Sequence, residues 1–108
     1  MPEQYLLILT TMPDKTSAEQ LAHDLVEKKL AACVNILDEM TAVYRWDDAI
    51  HTGTEYSLLI KTVQARYDAV QTFIHKQHPY ELPEIIAVPV EQGLPAYLNW
   101  IKTCTENL

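Results

Sequence analysis

Glycine and basic side chains are scarce in this sequence of 108 residues. With only two glycines, the chain has no glycine-rich loop that could cradle a phosphate group. Eight Lys and Arg residues stand against 15 Asp and Glu residues, and the formal net charge is −7. A nucleic-acid partner is therefore not expected, because binding to the phosphate backbone needs clustered positive charge.

Long apolar runs are also missing, and no targeting segment is expected. No run approaches the roughly 20 residues of a membrane-spanning helix. The N-terminus has no basic region followed by an apolar stretch, so no signal peptide is expected. Both observations predict a cytoplasmic protein without a membrane partner, in which Cys33 and Cys104 are free thiols. The length fits a single domain over residues 1–108.

The most constrained stretch is 78–101, which contains four of the six prolines and one of the two glycines. Each proline fixes its own φ and pushes the residue before it toward extended geometry. Residues 78–83 are predicted to be a rigid extended segment that leads into a strand at 84–90. Pro89 cannot donate a hydrogen bond, so this strand is expected at a sheet edge. Pro95 is expected to begin a last helix that reaches about residue 103.

The rest of the chain alternates between strand and helix patterns. Residues 4–11 form a continuous apolar run, typical of a central strand buried on both faces. Residues 14–30 and 65–77 have helical spacing; Asp14 or Ser17 is the candidate cap of the first helix, and Lys28 and Lys29 are expected in its last turn. The predicted fold class is α+β, ferredoxin-like βαββαβ with a long hairpin and an extra C-terminal helix.

The hairpin is the unusual element of this prediction. Its arms are residues 33–46 and 50–62, with a turn at Asp47-Asp48 and an irregularity at Asp38-Glu39. Each arm would span roughly 40 Å, although a domain of this size has a radius of gyration of about 13 Å. The overhanging tip carries the apolar residues Val43, Tyr44, Trp46, Ile50 and Tyr56. Because exposed apolar patches mark interaction sites, we expect another copy of the chain to cover the hairpin.

Two residues have the chemistry of metal ligands. The Cys33 thiolate and the His78 imidazole would suit copper or zinc. The alternative is that Cys33 packs as a small buried residue and His78 forms hydrogen bonds at a helix end.

Acidic and aromatic side chains also allow two interpretations. The carboxylates that could act as acid and base are Glu55, Glu81, Glu84 and Glu91; a solvated or interface role is the alternative. No nucleophile with a neighbouring base is found, so an enzyme is not expected. The aromatic set is Tyr44, Trp46, Tyr56, Tyr80, Tyr97 and Trp100. It is explained by packing, or by a small-molecule cleft if Trp46 reaches a neighbouring chain near Glu91.

Several short motifs, in order, resemble the CutA family of divalent-cation tolerance proteins. They are LAACVN at 30–35, VYRW at 43–46, LIKT at 59–62, HPYELPE at 78–84, PVEQG at 89–93 and YLNW at 97–100. The resemblance covers nearly the whole chain. It implies a cytoplasmic homotrimer whose long hairpins pair between chains. It also implies an architecture similar to the PII signalling proteins, which bind small effectors in clefts between subunits.

The resemblance also implies particular site residues. The copper site of some family members uses two cysteines and a histidine, and two of these positions match Cys33 and His78. The third aligns with Thr10, a poor ligand for a soft metal. The positions assigned to a cleft or subunit interface are Tyr44, Arg45, Trp46, Tyr56, Tyr80, Glu84, Glu91 and Trp100. The expected function is binding of copper, another divalent metal or a small ligand; the alternative is a PII-like sensing or scaffold module linked only indirectly to metal.

Two further positions depart from the family pattern. Asp38-Glu39 stands where the family often has Pro-Gly, and Asp48 stands where it often has Gly in the turn. Both changes affect the preorganisation of the hairpin and leave the fold prediction unchanged.

Overall fold

The computed structural model describes residues 3–106, so the ends of the predicted domain, residues 1–2 and 107–108, lie outside the described part. The strands are β1 (Tyr5–Met12), β2 (Cys33–Ile36), β3 (Met40–Trp46), β4 (Ala49–Val63) and β5 (Ile85–Val90). The helices are α1 (Lys15–Glu27), α2 (Tyr67–Gln77) and α3 (Pro95–Cys104), with a short 3-10 turn, Gln64–Arg66, before α2. The predicted α+β, ferredoxin-like class is confirmed. None of the helices in residues 3–106 is long and apolar enough to cross a membrane.

The sheet is antiparallel in the order β2-β4-β1-β5, and β3 pairs with the outer part of β4. The central position of β1 is as predicted. The expectation that β1 is buried on both faces is wrong for the single chain, because the helices cover one face only. Leu6 and Ile8 are buried on the helix side, whereas Leu7 and Leu9 alternate with them and are only half-buried.

The uncovered side of the sheet, called here the open face, is apolar. The half-buried Leu7, Leu9 and Leu59 lie on it, together with Ile86 and Val88, which are 56% and 46% exposed. An exposed apolar surface of this kind marks a contact with another molecule.

Helix α1 begins at its Asp14 cap, whose Oδ1 accepts a hydrogen bond from the Ser17 backbone N–H at 2.8 Å. This decides between the two candidate caps. The prediction that Lys28 and Lys29 lie in the last turn is wrong, because the helix ends at Glu27. Lys29 has a positive φ of 60°, which reverses the chain toward β2.

The hairpin of β3 and β4 projects from the rest of the chain as predicted. Asp47 and Asp48 have φ values of 56° and 61°, the left-handed pair that a two-residue type I′ turn requires. The first arm is interrupted at residues 37–39, between β2 and β3. The hairpin contributes to a shape of 45 × 25 × 23 Å.

The proline-rich segment joins α2 to the edge strand β5. His78 ends α2 in an extended conformation (φ −77°, ψ 136°), as the following Pro79 requires. Strand β5 pairs only with β1 among the described strands, as expected from Pro89. Helix α3 starts with Pro95 in its first turn and buries Ile101.

Candidate functional site

A groove of about 650 Å³ lies between the hairpin and the proline-rich segment. It is lined by Thr11, Ala42, Val43, Tyr44, Arg45, Trp46, Glu55, Pro79, Tyr80, Glu81, Leu82 and Glu84. Its volume is within the range of small-molecule sites, and its lining combines apolar walls with a few polar groups. The fold therefore brings together five of the eight residues predicted for a cleft, at positions 44, 45, 46, 80 and 84.

The Glu55 carboxylate is held in place in the groove by a hydrogen bond. Thr11 is 3% exposed, and its hydroxyl donates a hydrogen bond of 3.2 Å to Oε2 of Glu55. Glu55 lies on the hairpin, opposite Met40 in the register of β3 and β4. The bond joins the hairpin to the end of β1, and so holds the Glu55 carboxylate at one place in the groove.

His78 connects the same strand end to the proline-rich segment. Its Nε2 donates to the Thr11 carbonyl oxygen at 2.6 Å, and its Nδ1 accepts from the Tyr80 backbone N–H at 3.1 Å. Because a carbonyl oxygen only accepts and an N–H only donates, the ring is neutral with its proton on Nε2. Both ring nitrogens are thus engaged within the chain, in line with the expectation that His78 forms hydrogen bonds at the helix end.

Tyr80 forms one aromatic wall. Its ring lies 4.8 Å from the His78 ring, tilted by 50°. Burial, and next the neighbouring Glu55 carboxylate, raise the pKa of the Tyr80 phenol above its ordinary value. The phenol therefore stays protonated at neutral pH beside Glu55.

Tyr44 and Trp46 form the opposite wall, on the hairpin. The Tyr44 ring stacks on His51 at 5.6 Å with an interplanar angle of 18°. Nε2 of His51 also lies 3.1 Å from the Trp46 carbonyl oxygen, within hydrogen-bond distance. These contacts support the two aromatic residues on a strand that is otherwise exposed.

The predicted metal ligands are not neighbours within one chain. Cys33 pairs with Lys61 of β4, whereas Thr11, the partner of His78, pairs with Ser57. The four-residue offset along β4 alone corresponds to about 13 Å. Among residues 3–106, no group of three or more His, Cys, Asp or Glu side chains could hold a metal ion. A single chain therefore does not fit a metal centre at Cys33 and His78, and their joint role as ligands stays a prediction.

Comparisons with known proteins identify a family whose sequences match this chain. A family profile described as "CutA1 divalent ion tolerance protein" matches residues 6–104. This chain belongs to that family. The resemblance noted from the motifs is thereby confirmed.

Individual CutA relatives cover the chain almost end to end. Protein CutA of Mus musculus is 39% identical over 108 residues; the match spans 100% of this chain and 61% of the mouse protein. The divalent-cation tolerance protein CutA of Thermus thermophilus is 37% identical over 99 residues, 92% of this chain and 96% of that protein. The crystal structure of CutA from Xylella fastidiosa superposes with a TM-score of 0.92 at 46% identity, and covers 94% of this chain and 98% of that one.

Thr10 occupies the position that the CutA resemblance associates with a cysteine. It is 0% exposed, and within residues 3–106 its Oγ1 is the buried side-chain atom without a hydrogen-bond partner. Thr10 lies on the helix side of β1, level with Leu58. Cys33 pairs with Lys61, and Lys61 pairs with Leu7 of β1. Because directly paired residues share one face of a sheet, Cys33 lies on the open face with Leu7. Thr10 and Cys33 therefore lie on opposite faces of this CutA sheet.

Three residues predicted for the cleft or interface lie outside the groove. Tyr56 pairs with Met12, and its hydroxyl donates to Oε2 of Glu39 at 3.4 Å; burial and then this carboxylate raise the pKa of Tyr56. Glu91 follows β5, at the far end of the sheet, and the exposed Trp100 packs against Tyr97 on α3 at 5.4 Å. Their role in an interface between CutA chains stays a prediction.

Two groove residues, Thr11 and Glu55, were not predicted for the cleft; Glu55 was considered only as one of four candidate acid–base carboxylates. The position of Glu55 in the groove could have been predicted from the turn at Asp47-Asp48. Counting outward from that turn pairs Tyr44 with residue 51 and Met40 with Glu55. Even-numbered residues of β3 and odd-numbered residues of β4 thus share one side, which places Glu55 beside the aromatic wall.

Proposed function

We propose that this chain is a binding protein of the divalent-cation tolerance class, which acts as a homotrimer and holds a small ligand in the groove. The observation that carries the proposal is the network of Thr11, Glu55, His78 and Tyr80, which fixes a carboxylate between aromatic walls. Because these groups hold one another in place, the groove is preorganised for binding, and we propose no catalytic step. A cytoplasmic location is part of the proposal and rests on the sequence alone.

The indole N–H groups provide a direct test of ligand binding. The chain has two tryptophans; Trp46 lines the groove and Trp100 lies outside it. A small molecule that binds the groove should shift the Trp46 indole resonance in a saturable way and leave Trp100 in place. The Trp46→Ala variant lacks this reporter, and equilibrium dialysis should show that it does not bind the same molecule. A small-molecule collection that moves neither resonance, or moves both together, would contradict the proposed site.

Assembly is supported by the open face and by the exposed hairpin. Val88 is 46% exposed on the open face, and Val43 and Ile50 on the hairpin are 68% and 69% exposed. A second and a third copy would remove this apolar surface from water, at about 25 cal/mol for each Å² buried.

A matched pair of substitutions tests the assembly. Val88 on the open face and Val26 on α1 are exposed to nearly the same degree, 46% and 43%. Val88→Glu should convert the trimer to monomers in native mass spectrometry, because it would bury a charge between copies. Val26→Glu should leave the trimer intact. If both variants stay trimeric, copies of the chain do not meet on the open face.

Copper binding is the second candidate, supported by a family description that names divalent ions and by the half-buried thiol of Cys33, a soft ligand. The Lys61 ammonium lies 3.9 Å from Cys33 Sγ and donates to Asn35 Oδ1. The thiolate is the form of a cysteine that binds a soft metal. Since one chain does not bring His78 to Cys33, we propose that any copper held by Cys33 takes its remaining ligands from other copies.

A further inference from the structure

The groove carries an excess of negative charge. The carboxylates of Glu55, Glu81 and Glu84 line it, and Arg45 is the cation of the lining. The formal balance of these four side chains is −2. The whole chain carries −7, so its long-range field also attracts cations and repels anions.

Two of these carboxylates stand on opposite sides of β1. Glu55 belongs to β4, and Glu84 directly precedes Ile85, which pairs with Thr10 from the other side. Their backbones are thus about two strand spacings apart, on the order of 10 Å. Among residues 3–106, no group of three or more His, Cys, Asp or Glu side chains could hold a metal ion, so these carboxylates do not form a metal cluster. Two carboxylates on separate strands can each bind one end of a ligand that has two positive charges joined by a chain.

The aromatic side chains that line the groove suit the uncharged chain between the two positive charges of such a ligand. The Tyr44, Trp46 and Tyr80 rings are between 38% and 48% exposed and line the same groove. Aromatic faces attract ammonium groups, and they also pack against methylene chains.

We propose that the groove takes an aliphatic diamine, with one ammonium group at Glu55 and the other at Glu84, and its methylenes against the aromatic walls. The inference rests on the proposed function, which it deepens by naming the class of ligand. Glu55 is the better defined end, because Thr11 fixes its carboxylate.

The test uses the intact protein and 1,4-diaminobutane. The Trp46 indole N–H resonance should shift in a saturable way while that of Trp100 stays. The midpoint should be at least tenfold lower than that for the neutral 1,4-butanediol or for magnesium chloride. Glu55→Gln and Glu84→Gln should each raise the midpoint about tenfold. Glu19→Gln, which removes an exposed charge on α1, is the matched control and should change nothing.

Each other result has a defined meaning. Equal midpoints for diamine and magnesium would overturn the proposal, since charge alone would then explain binding. An equal loss in Glu19→Gln would overturn it for the same reason. If phenol, a neutral aromatic probe, shifts the Trp46 resonance and the diamine does not, the proposed class of ligand is wrong and the groove remains a binding site. If neither probe shifts the Trp46 resonance, the proposed class of ligand is wrong, and the proposed function loses support as well.

Discussion

The buried hydroxyl of Thr10 should make this protein less stable than a variant without it. Thr10 is 0% exposed, and its Oγ1 has no hydrogen-bond partner in residues 3–106. An unsatisfied buried polar group costs about 1–3 kcal/mol of desolvation. Valine has nearly the same shape, so Thr10→Val should raise the free energy of unfolding by about 1–2 kcal/mol.

Thr62 provides the matched control on the neighbouring strand. It is equally buried, at 0% exposure, but its hydroxyl donates to the Leu30 carbonyl oxygen at 2.6 Å. Thr62→Val removes that bond and leaves the carbonyl oxygen without this donor, which should cost about 1–2 kcal/mol. The two substitutions make the same chemical change in the same sheet, yet they should differ by about 2–4 kcal/mol.

Guanidinium chloride unfolding at one fixed protein concentration measures both variants, because the stability of a protein that assembles depends on its concentration. The midpoint should rise for Thr10→Val and fall for Thr62→Val, with similar slopes. A loss of stability in Thr10→Val would refute the reasoning. It would mean that a water molecule, an ion or another group satisfies the Thr10 hydroxyl in solution.

Three further predictions concern the copper ligand, the helix cap and the groove phenol. Under reducing conditions, native mass spectrometry should show copper bound to the parent protein and to Cys104→Ser but not to Cys33→Ser; equal uptake by all three would exclude Cys33. Asp14→Ala should lower the free energy of unfolding by about 1 kcal/mol, because the first turn of α1 loses its cap; unchanged denaturation would contradict this. The raised pKa of Tyr80 means that the folded state binds the phenolic proton more tightly, so stability from this group is full below about pH 10 and falls as the pH rises further. Ultraviolet titration should show that Glu55→Gln shifts this step to lower pH only in part, since burial is the larger cause; no shift would remove Glu55 from the explanation.

Local chemistry made much of the fold predictable from the sequence. The two aspartates of the turn set the register of the hairpin, and Pro89 and Pro95 placed an edge strand and a helix start. The apolar run of β1 would be the same whether its second face packs against a helix or against another chain. The sequence of β1 therefore could not show which of the two covers that face. The end of α1 was misjudged because the left-handed conformation of Lys29 depends on how the chain packs onto β2.

The groove was harder to predict because its contacts join distant parts of the chain. His78 bonds to Thr11 across 67 residues, and Thr11 bonds to Glu55 across 44. Motif resemblance assigned Tyr44, Trp46 and Tyr80 to a cleft or interface between subunits, and within one chain these three residues line the same groove. It carried no information on Glu55, whose role follows only from the register of the hairpin.

The groove and the open face are adjacent, so ligand binding and assembly should be coupled. Thr11 continues the row of Leu7 and Leu9 on the open face, and its hydroxyl holds Glu55 in the groove. Copies that cover this row would therefore close the groove at Thr11. A ligand that binds only the assembled form at 100 times its dissociation constant would stabilise it by about 2.7 kcal/mol. Because such coupling is reciprocal, Val88→Glu should lose the ligand together with the proposed trimer, whereas Val26→Glu should keep both.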